Sequence, residues 1–198
     1  GDPHIRVVPW LHLVPHGDDV EMQHREHLRY RKLDGDRFVV MKNETFYRPY
    51  VQKQPLSRQY MWSAAMAGLH SLEAQHKADR PAHAHLLRDD GLLAAFMQQT
   101  DFHLMKPSNA LAAGATKWVL ANPGVAYIAY TYDYGGPMGL KNIPAGTYDL
   151  LWFDTESGNQ MLQKDMVAAA GSVTWPKPET IGNEVALHIN RAAGPRRR

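Results

Sequence analysis

Tyr148-Asp149-Leu150-Leu151-Trp152-Phe153-Asp154-Thr155-Glu156-Ser157-Gly158 is an apolar run of strand length closed by a turn. With Gly146 and Thr147 in front, it predicts a strand over residues 146 to 153, and Ser157-Gly158-Asn159 supplies the small polar residues that let a chain reverse. Apolar and polar residues alternate in only part of it, so no face is assigned. Outward from this run lie Lys117-Trp118-Val119-Leu120 and the segments 125 to 132, 161 to 167 and 184 to 189. The turn signals between them include Asn122-Pro123-Gly124, Gly135-Gly136-Pro137 and Pro144-Ala145-Gly146. Short strands parted by such turns predict an antiparallel β-sandwich, with Trp118, Trp152 and Trp175 in its core.

Upstream the character changes. Residues 1 to 106 carry 14 Lys+Arg, 13 Asp+Glu and ten of the 11 His, whereas residues 107 to 190 carry four Lys, seven acids and one His. Lys106-Pro107-Ser108-Asn109 punctuates the chain at this break, so domains are expected at 1–106 and 107–191, with 192–198 a disordered basic tail. In the first part, residues 5 to 8 and Arg37-Phe38-Val39-Val40-Met41 suit buried strands, and residues 18 to 32 suit a short helix. Ser57 is the expected N-cap of a helix running to about His76, buried through Met61, Trp62, Ala65, Met66, Leu69 and Leu72. A further helix is expected from Asp90, burying Leu92, Leu93, Phe96 and Met97. Strand, helix, strand, helix, helix is the order of parallel α/β structure.

The 198 residues are too few for a complete (β/α)8 barrel, which needs about 250. Hydrophobic residues at 44% exclude a disordered chain. Charge is nearly balanced, 22 Lys+Arg against 20 Asp+Glu, and three of the positives are Arg196, Arg197 and Arg198, so no nucleic-acid partner is expected. No run approaches the roughly 18 apolar residues of a membrane span, and Gly1-Asp2-Pro3-His4 lacks the regions of a signal peptide, so no membrane partner is expected either. The absence of cysteine excludes disulfides, thiolate metal sites and cysteine nucleophiles.

The stretch from Trp118 to Ile189 resembles the small β-sandwich, often called a putative collagen-binding domain, at the C-terminus of many clan-A glycoside hydrolases. The resemblance rests on Ala126-Tyr127-Ile128-Ala129-Tyr130, Gly146-Thr147-Tyr148, and Trp152-Phe153-Asp154 before its turn, in the family's order. Upstream, Phe38-Val39-Val40-Met41-Lys42-Asn43-Glu44 followed by Arg58-Gln59-Tyr60-Met61-Trp62 is similar to the last strands and helices of that family's barrel. The fold so implied is α/β plus all-β: the C-terminal portion of a (β/α)8 barrel followed by a small antiparallel β-sandwich. The family's Asn-Glu acid/base pair has no counterpart here.

The resemblance implies retaining hydrolysis of a polysaccharide, with Glu44 as nucleophile at the end of a barrel strand. It implies a carbohydrate substrate, no cofactor, no metal, and a secreted or periplasmic setting. It also implies His12, His16, His24 and Tyr47 as substrate-binding residues, with Trp10 and Tyr50 as further stacking candidates. Taken without it, Glu44 is an ordinary solvated acid at a strand end, and the histidines and aromatics are surface or core groups. An incomplete barrel leaves strand edges unpaired, so a second chain or an N-terminal barrel segment is an expected partner. Two other functions stay open. One is a non-catalytic β-sandwich accessory or carbohydrate-binding module. The other is a helical di-metal carboxylate protein using Glu21, His24, Glu73 and His76, whose Glu-x-x-His spacing puts two ligands on one helix face.

Overall fold

The computed structural model describes residues 19–32, 41–42, 54–71 and 84–192. Glu44, His12, His16, Tyr47, Trp10, Tyr50, Glu73, His76, the segment 5–8 and the Arg tail lie outside the described residues. The chain divides into two compact units, Gly1–Asp90 and Gly91–Arg198.

The first unit opens with helix α1, Val20–Lys32. Asp19 caps it, its Oδ1 accepting the Met22 amide at 2.9 Å, while Arg29, Arg31 and Lys32 in the last turn suit the helix dipole. Strand β1, Met41–Lys42, then precedes helix α2, Leu56–Met66, and strand β2, His70–Ser71. β1 and β2 pair in parallel, Met41 opposite His70 and Lys42 opposite Ser71, with α2 in the crossover that a parallel pair requires. Tyr60, Trp62 and Met66 are fully buried, as in a helix apolar on most sides.

Three expectations for this unit are corrected. α2 begins at Leu56 with Pro55 in the cap position, so Ser57 lies inside the first turn and caps nothing. α2 also ends at Met66, well before His76. The Leu69 amide bonds the Ala64 carbonyl at 3.0 Å and the Gly68 amide bonds the Ala65 carbonyl at 2.8 Å, the 6→1 and 5→2 pair of a Schellman motif. Gly68 sits there at φ +73°, where a Cβ would meet Arg31 Nη1 at 2.9 Å. The apolar stripe runs past this stop, but the backbone does not, and it enters β2 instead. Helix α3 spans Ala84–Met97, so Asp90 lies mid-helix and does not cap.

The division between units falls inside α3, upstream of the Lys106–Asn109 punctuation. The second unit takes the end of α3, a 3-10 turn at Phe102–Leu104 and nine strands. These are β3 Lys106–Pro107, β4 Ala112–Gly114, β5 Trp118–Asn122, β6 Ala126–Thr131, β7 Met138–Ile143, β8 Gly146–Asp154, β9 Gln160–Ala168, β10 Gly171–Trp175 and β11 Val185–Arg191. They form a six-stranded sheet in the order β3-β5-β6-β11-β8-β9 and a three-stranded sheet in the order β10-β7-β4, both antiparallel.

One apolar cluster joins the two sheets. Val119, Tyr127, Leu150, Trp152 and Leu187 come from the larger, and Met138, Leu140, Ile143 and Trp175 from the smaller. The larger sheet buries its other face too: Phe96 of α3 lies 5.0 Å from Phe153, and Trp118 stacks on Tyr130 at 5.3 Å. Burial on both faces explains why the strands read as continuous apolar runs. Trp118, Trp152 and Trp175 are all buried. The chain is thus mostly antiparallel sheet, preceded by a short parallel α/β segment. No described helix is long and apolar enough to cross a membrane.

Candidate functional site

The parallel pair gives the first unit two distinct ends. Only residues 67–69 separate the end of α2 from the start of β2, so the C-terminus of α2 lies at the N-terminal end of the strands. Its N-terminal turn therefore points toward the other end, where β1 finishes and the chain continues to Glu44, two residues beyond Lys42. In parallel α/β structure this is the end that carries reacting groups.

Buried polar groups lie at this end of α2. Ser57, Arg58 and Asp89 are each 2% exposed or less. Gln54, at the entry to α2, donates from Nε2 to Asp89 Oδ2 at 2.7 Å, linking the start of α2 to α3. Burial pushes the Asp89 carboxyl above its ordinary value, and the Arg58 guanidinium, the Gln54 bond, His85 and Arg88 pull it back only in part. Among the described residues, Asp89 Oδ1 and Ser57 Oγ are buried without a hydrogen-bond partner. Toward the other end of α2, Ser63, His24 and His27 are buried as well, and Ala64, Ala67 and Leu69 form an apolar cluster beside Leu28. Asp89 and Gln54 escaped the sequence reading; an Asp89-Asp90 pair inside an apolar helical stripe was the available signal.

His24 is the one substrate-binding candidate among the described residues, and it sits between helices. Its ring is 2% exposed, with Nδ1 2.9 Å from the Ser63 carbonyl, so Nδ1 carries the proton and donates. Burial drives its pKa down to about 4, against the Ser63 bond and the Glu21 charge. His27 lies alongside, Nδ1 3.2 Å from Ser63 Oγ. That hydroxyl gives its own proton to the Tyr60 carbonyl, so it accepts from His27. Both histidines tie α1 to α2. Of the four residues considered for two metals, Glu21 and His24 are described, and the His24 Nδ1 is occupied by a carbonyl. Among the described residues no group of three or more His, Asp or Glu gathers as a metal site.

In the second unit the Trp-Phe-Asp triplet has three separate structural roles. Trp152 enters the core between the sheets and donates its indole N–H to Gln163 Oε1 at 2.8 Å. Phe153 covers the opposite face. Asp154 organises the turn: Oδ1 accepts the Glu156 and Ser157 amides at 2.9 and 3.1 Å, and Oδ2 the Gly182 amide at 3.1 Å. Thr155 Oγ1 and Tyr130 OH both donate to buried Glu184 Oε1, at 2.9 and 3.0 Å.

No protein-family model matches the chain. No curated protein matches it either. Two solved structures share its fold. One is a glycoside hydrolase family 5 protein from Bacteroides vulgatus ATCC 8482, with a TM-score of 0.51 over 68% of this chain and 35% of that one. The other, a protein described as a glycoside hydrolase, has a TM-score of 0.62 over 96% of this chain and 50% of that one. Sequence identity is 14% in both, so the likeness is one of fold, and the chain spans between a third and a half of each protein.

Proposed function

We propose that this chain forms the closing part of a retaining glycoside hydrolase, in which Glu44 is the nucleophile and the two-sheet unit is an accessory β-sandwich. The observation that carries the reading is the parallel pairing of β1 with β2, because Glu44 follows β1 at the strand end where such enzymes keep their carboxylates. The fold shared with two glycoside hydrolases supports it.

In this reading the ionised Glu44 carboxylate attacks the anomeric carbon of a polysaccharide unit. The glycosidic C–O bond breaks, and the leaving oxygen takes a proton from a second carboxylic acid about 5 to 5.5 Å away. Water then cleaves the glycosyl ester and returns its proton to that second group. The acid belongs to barrel strands outside this sequence, on the same polypeptide or a second chain. His12, His16 and Tyr47 are the sugar-binding residues of this reading, whereas His24 bonds the Ser63 carbonyl between helices.

The test is Glu44→Gln in the full-length protein, assayed on nitrophenyl glycosides and soluble polysaccharides. Turnover is expected to fall by roughly 10³-fold or more, with the circular dichroism and melting temperature retained. Equal turnover in the two forms would remove Glu44 from the chemistry and leave the chain as an accessory module.

A further inference from the structure

We infer that the open edge of β9 is a self-pairing surface: a second copy of this chain adds its own β9 antiparallel to the first, with Leu162 of each copy opposite Val167 of the other and Lys164 opposite Asp165. The surface lies wholly within the second unit and does not depend on the glycosidase reading.

β9 ends the six-stranded sheet, paired with β8 on one side and with no described strand on the other. It runs for nine residues, Gln160–Ala168, without glycine or proline. An edge of that length turns alternate N–H and C=O groups outward, ready to pair. The opposite edge, β3, is blunted by comparison, since it has two residues and one of them is Pro107. Three large apolar side chains of β9 also face solvent: Val167 is 81% exposed, Leu162 51% and Met161 37%.

The register explains why the partner is a second copy. On β8, Leu151 stands opposite Leu162 and Thr147 opposite Val167, whereas Leu150 stands opposite Gln163 and Tyr148 opposite Met166. Leu150 and Tyr148 belong to the cluster between the sheets, so Leu162 and Val167 both lie on the other face. Five residues apart, they would fall on opposite faces of a regular strand. They share a face because β9 takes three steps from Gln163 to Met166 where β8 takes two. This is a bulge at Lys164-Asp165, with Asp165 at φ +57° and its amide on Asp149 Oδ1 at 3.0 Å. A bulge and an exposed lysine keep a regular strand off an open edge, because the residue counts no longer match. A second β9 running antiparallel carries its extra residue at the same place, and the counts agree again. About that centre Leu162 meets Val167, Gln163 meets Met166 and Met161 meets Ala168, each pair on one face of the joined sheet. The charges match too, since Lys164 meets Asp165 on both sides of the axis. A patch that complements itself in this way is what an isologous dimer requires. One strand pair is a small contact, so the dimer is a reversible one.

The test follows the full-length protein by sedimentation velocity from about 1 μM to 1 mM, the span of weak affinities, over which a reversible passage from monomer to dimer is expected. Val167→Lys changes an exposed side chain and sets a charge against Leu162 of the other copy. Lys164→Asp sets acid against acid at the centre. Each is expected to raise the dimer Kd by about 10-fold or more, with the melting temperature retained. Asp165→Lys sets lysine against lysine and should be equally weakened alone. Mixed with Lys164→Asp it should dimerise as the wild type does, because acid meets lysine again. Should Asp165→Lys fail to fold at its left-handed position, the two exposed variants and the cross-links below decide.

Cross-linking reads the register, and the chain has no cysteine of its own to interfere. Under mild oxidation Leu162→Cys and Val167→Cys should each give no linked product alone and a disulfide-linked dimer when mixed, because only residues directly opposite come within reach of the bond. A monomer over the whole range, a dimer that Val167→Lys and Lys164→Asp leave intact, or linked product as abundant in either cysteine variant alone as in the mixture would each overturn the self-pairing. Slow hydrogen exchange along the whole of β9 in a monomer would assign the edge to another segment of the same polypeptide and overturn it equally.

Discussion

Asp154 Oδ2 accepts the Gly182 amide at 3.1 Å, fastening the end of β8 to the loop that leads into β11. The other oxygen holds the turn amides of Glu156 and Ser157. Burial alone would raise this carboxyl's pKa, but the bonds from Ser157, Glu156 and Gly182 together outweigh it and hold the group below its ordinary value. Asp154→Ala leaves these donors unsatisfied and is expected to cost about 1–3 kcal/mol at pH 7, read from urea unfolding. The sign with pH follows. A depressed folded pKa gives stability that is present above the unfolded value and lost as pH falls through the folded one. The gap between wild type and Asp154→Ala should therefore close in acid, and a constant gap would assign the loss to packing.

Gly139 on β7 has no room for a side chain. A Cβ there would meet the Val173 carbonyl oxygen of β10 at 1.9 Å, and backbone cannot swing aside as a side chain can. Gly139→Ala is expected to lower stability by roughly 3 kcal/mol or more by forcing the two strands apart. Gly91 in α3 meets nothing within 4 Å. Gly91→Ala should raise stability by about 0.5–1 kcal/mol, so thermal melts of the two variants should move in opposite directions.

His24 titrates near 4 in the fold against 6.5 unperturbed. Between those values the unfolded chain binds more protons, so the contribution of this ring is complete above pH 6.5 and declines as pH drops toward 4. The imidazole resonances of His24 should remain those of the neutral ring down to about pH 4, and His24→Gln should flatten the fall in melting temperature over that interval. A midpoint near 6.5 would mean the ring is solvated and the contact with Ser63 is not made.

The five strands β5, β6, β8, β9 and β11 were legible because glycine, proline and asparagine bracket apolar runs of the right length. β7 and β10 were not. β7 is interrupted by Gly139, Lys141 and Asn142, the last at φ +56°, and β10 alternates over only five residues, with Val173 and Trp175 on its inner face. The end of α2 was misplaced because hydrophobicity continues through Leu69 and Leu72, whereas the stop depends on a left-handed Gly68 and on Arg31 donating to its carbonyl at 2.6 Å, a contact 37 residues away in sequence. His24 illustrates the same limit at the candidate site. Sequence marks a histidine as chemically able, and only the neighbouring helix decides that its proton goes to Ser63. Glu44 was singled out by the family resemblance, whereas the Gln54–Asp89 link depends on a meeting of α2 with α3 that no local pattern announces.

Phe96 is fully buried and its ring lies 5.0 Å from that of Phe153. Phe96→Ala is expected to cost about 3–5 kcal/mol, measurable as a lowered urea midpoint with an unchanged slope.

Helix α3 contributes Asp89 to the first unit and Phe96 to the second within two turns of one rod. A gene fragment starting at residue 107 would be born without the aromatic lid over Phe153 and should precipitate on expression, while one starting at residue 84 keeps it. For shuffling between genes, the seam suggested by Lys106-Pro107 is thus a poor crossover point: the sheet unit must travel with a helix whose other half belongs to its neighbour.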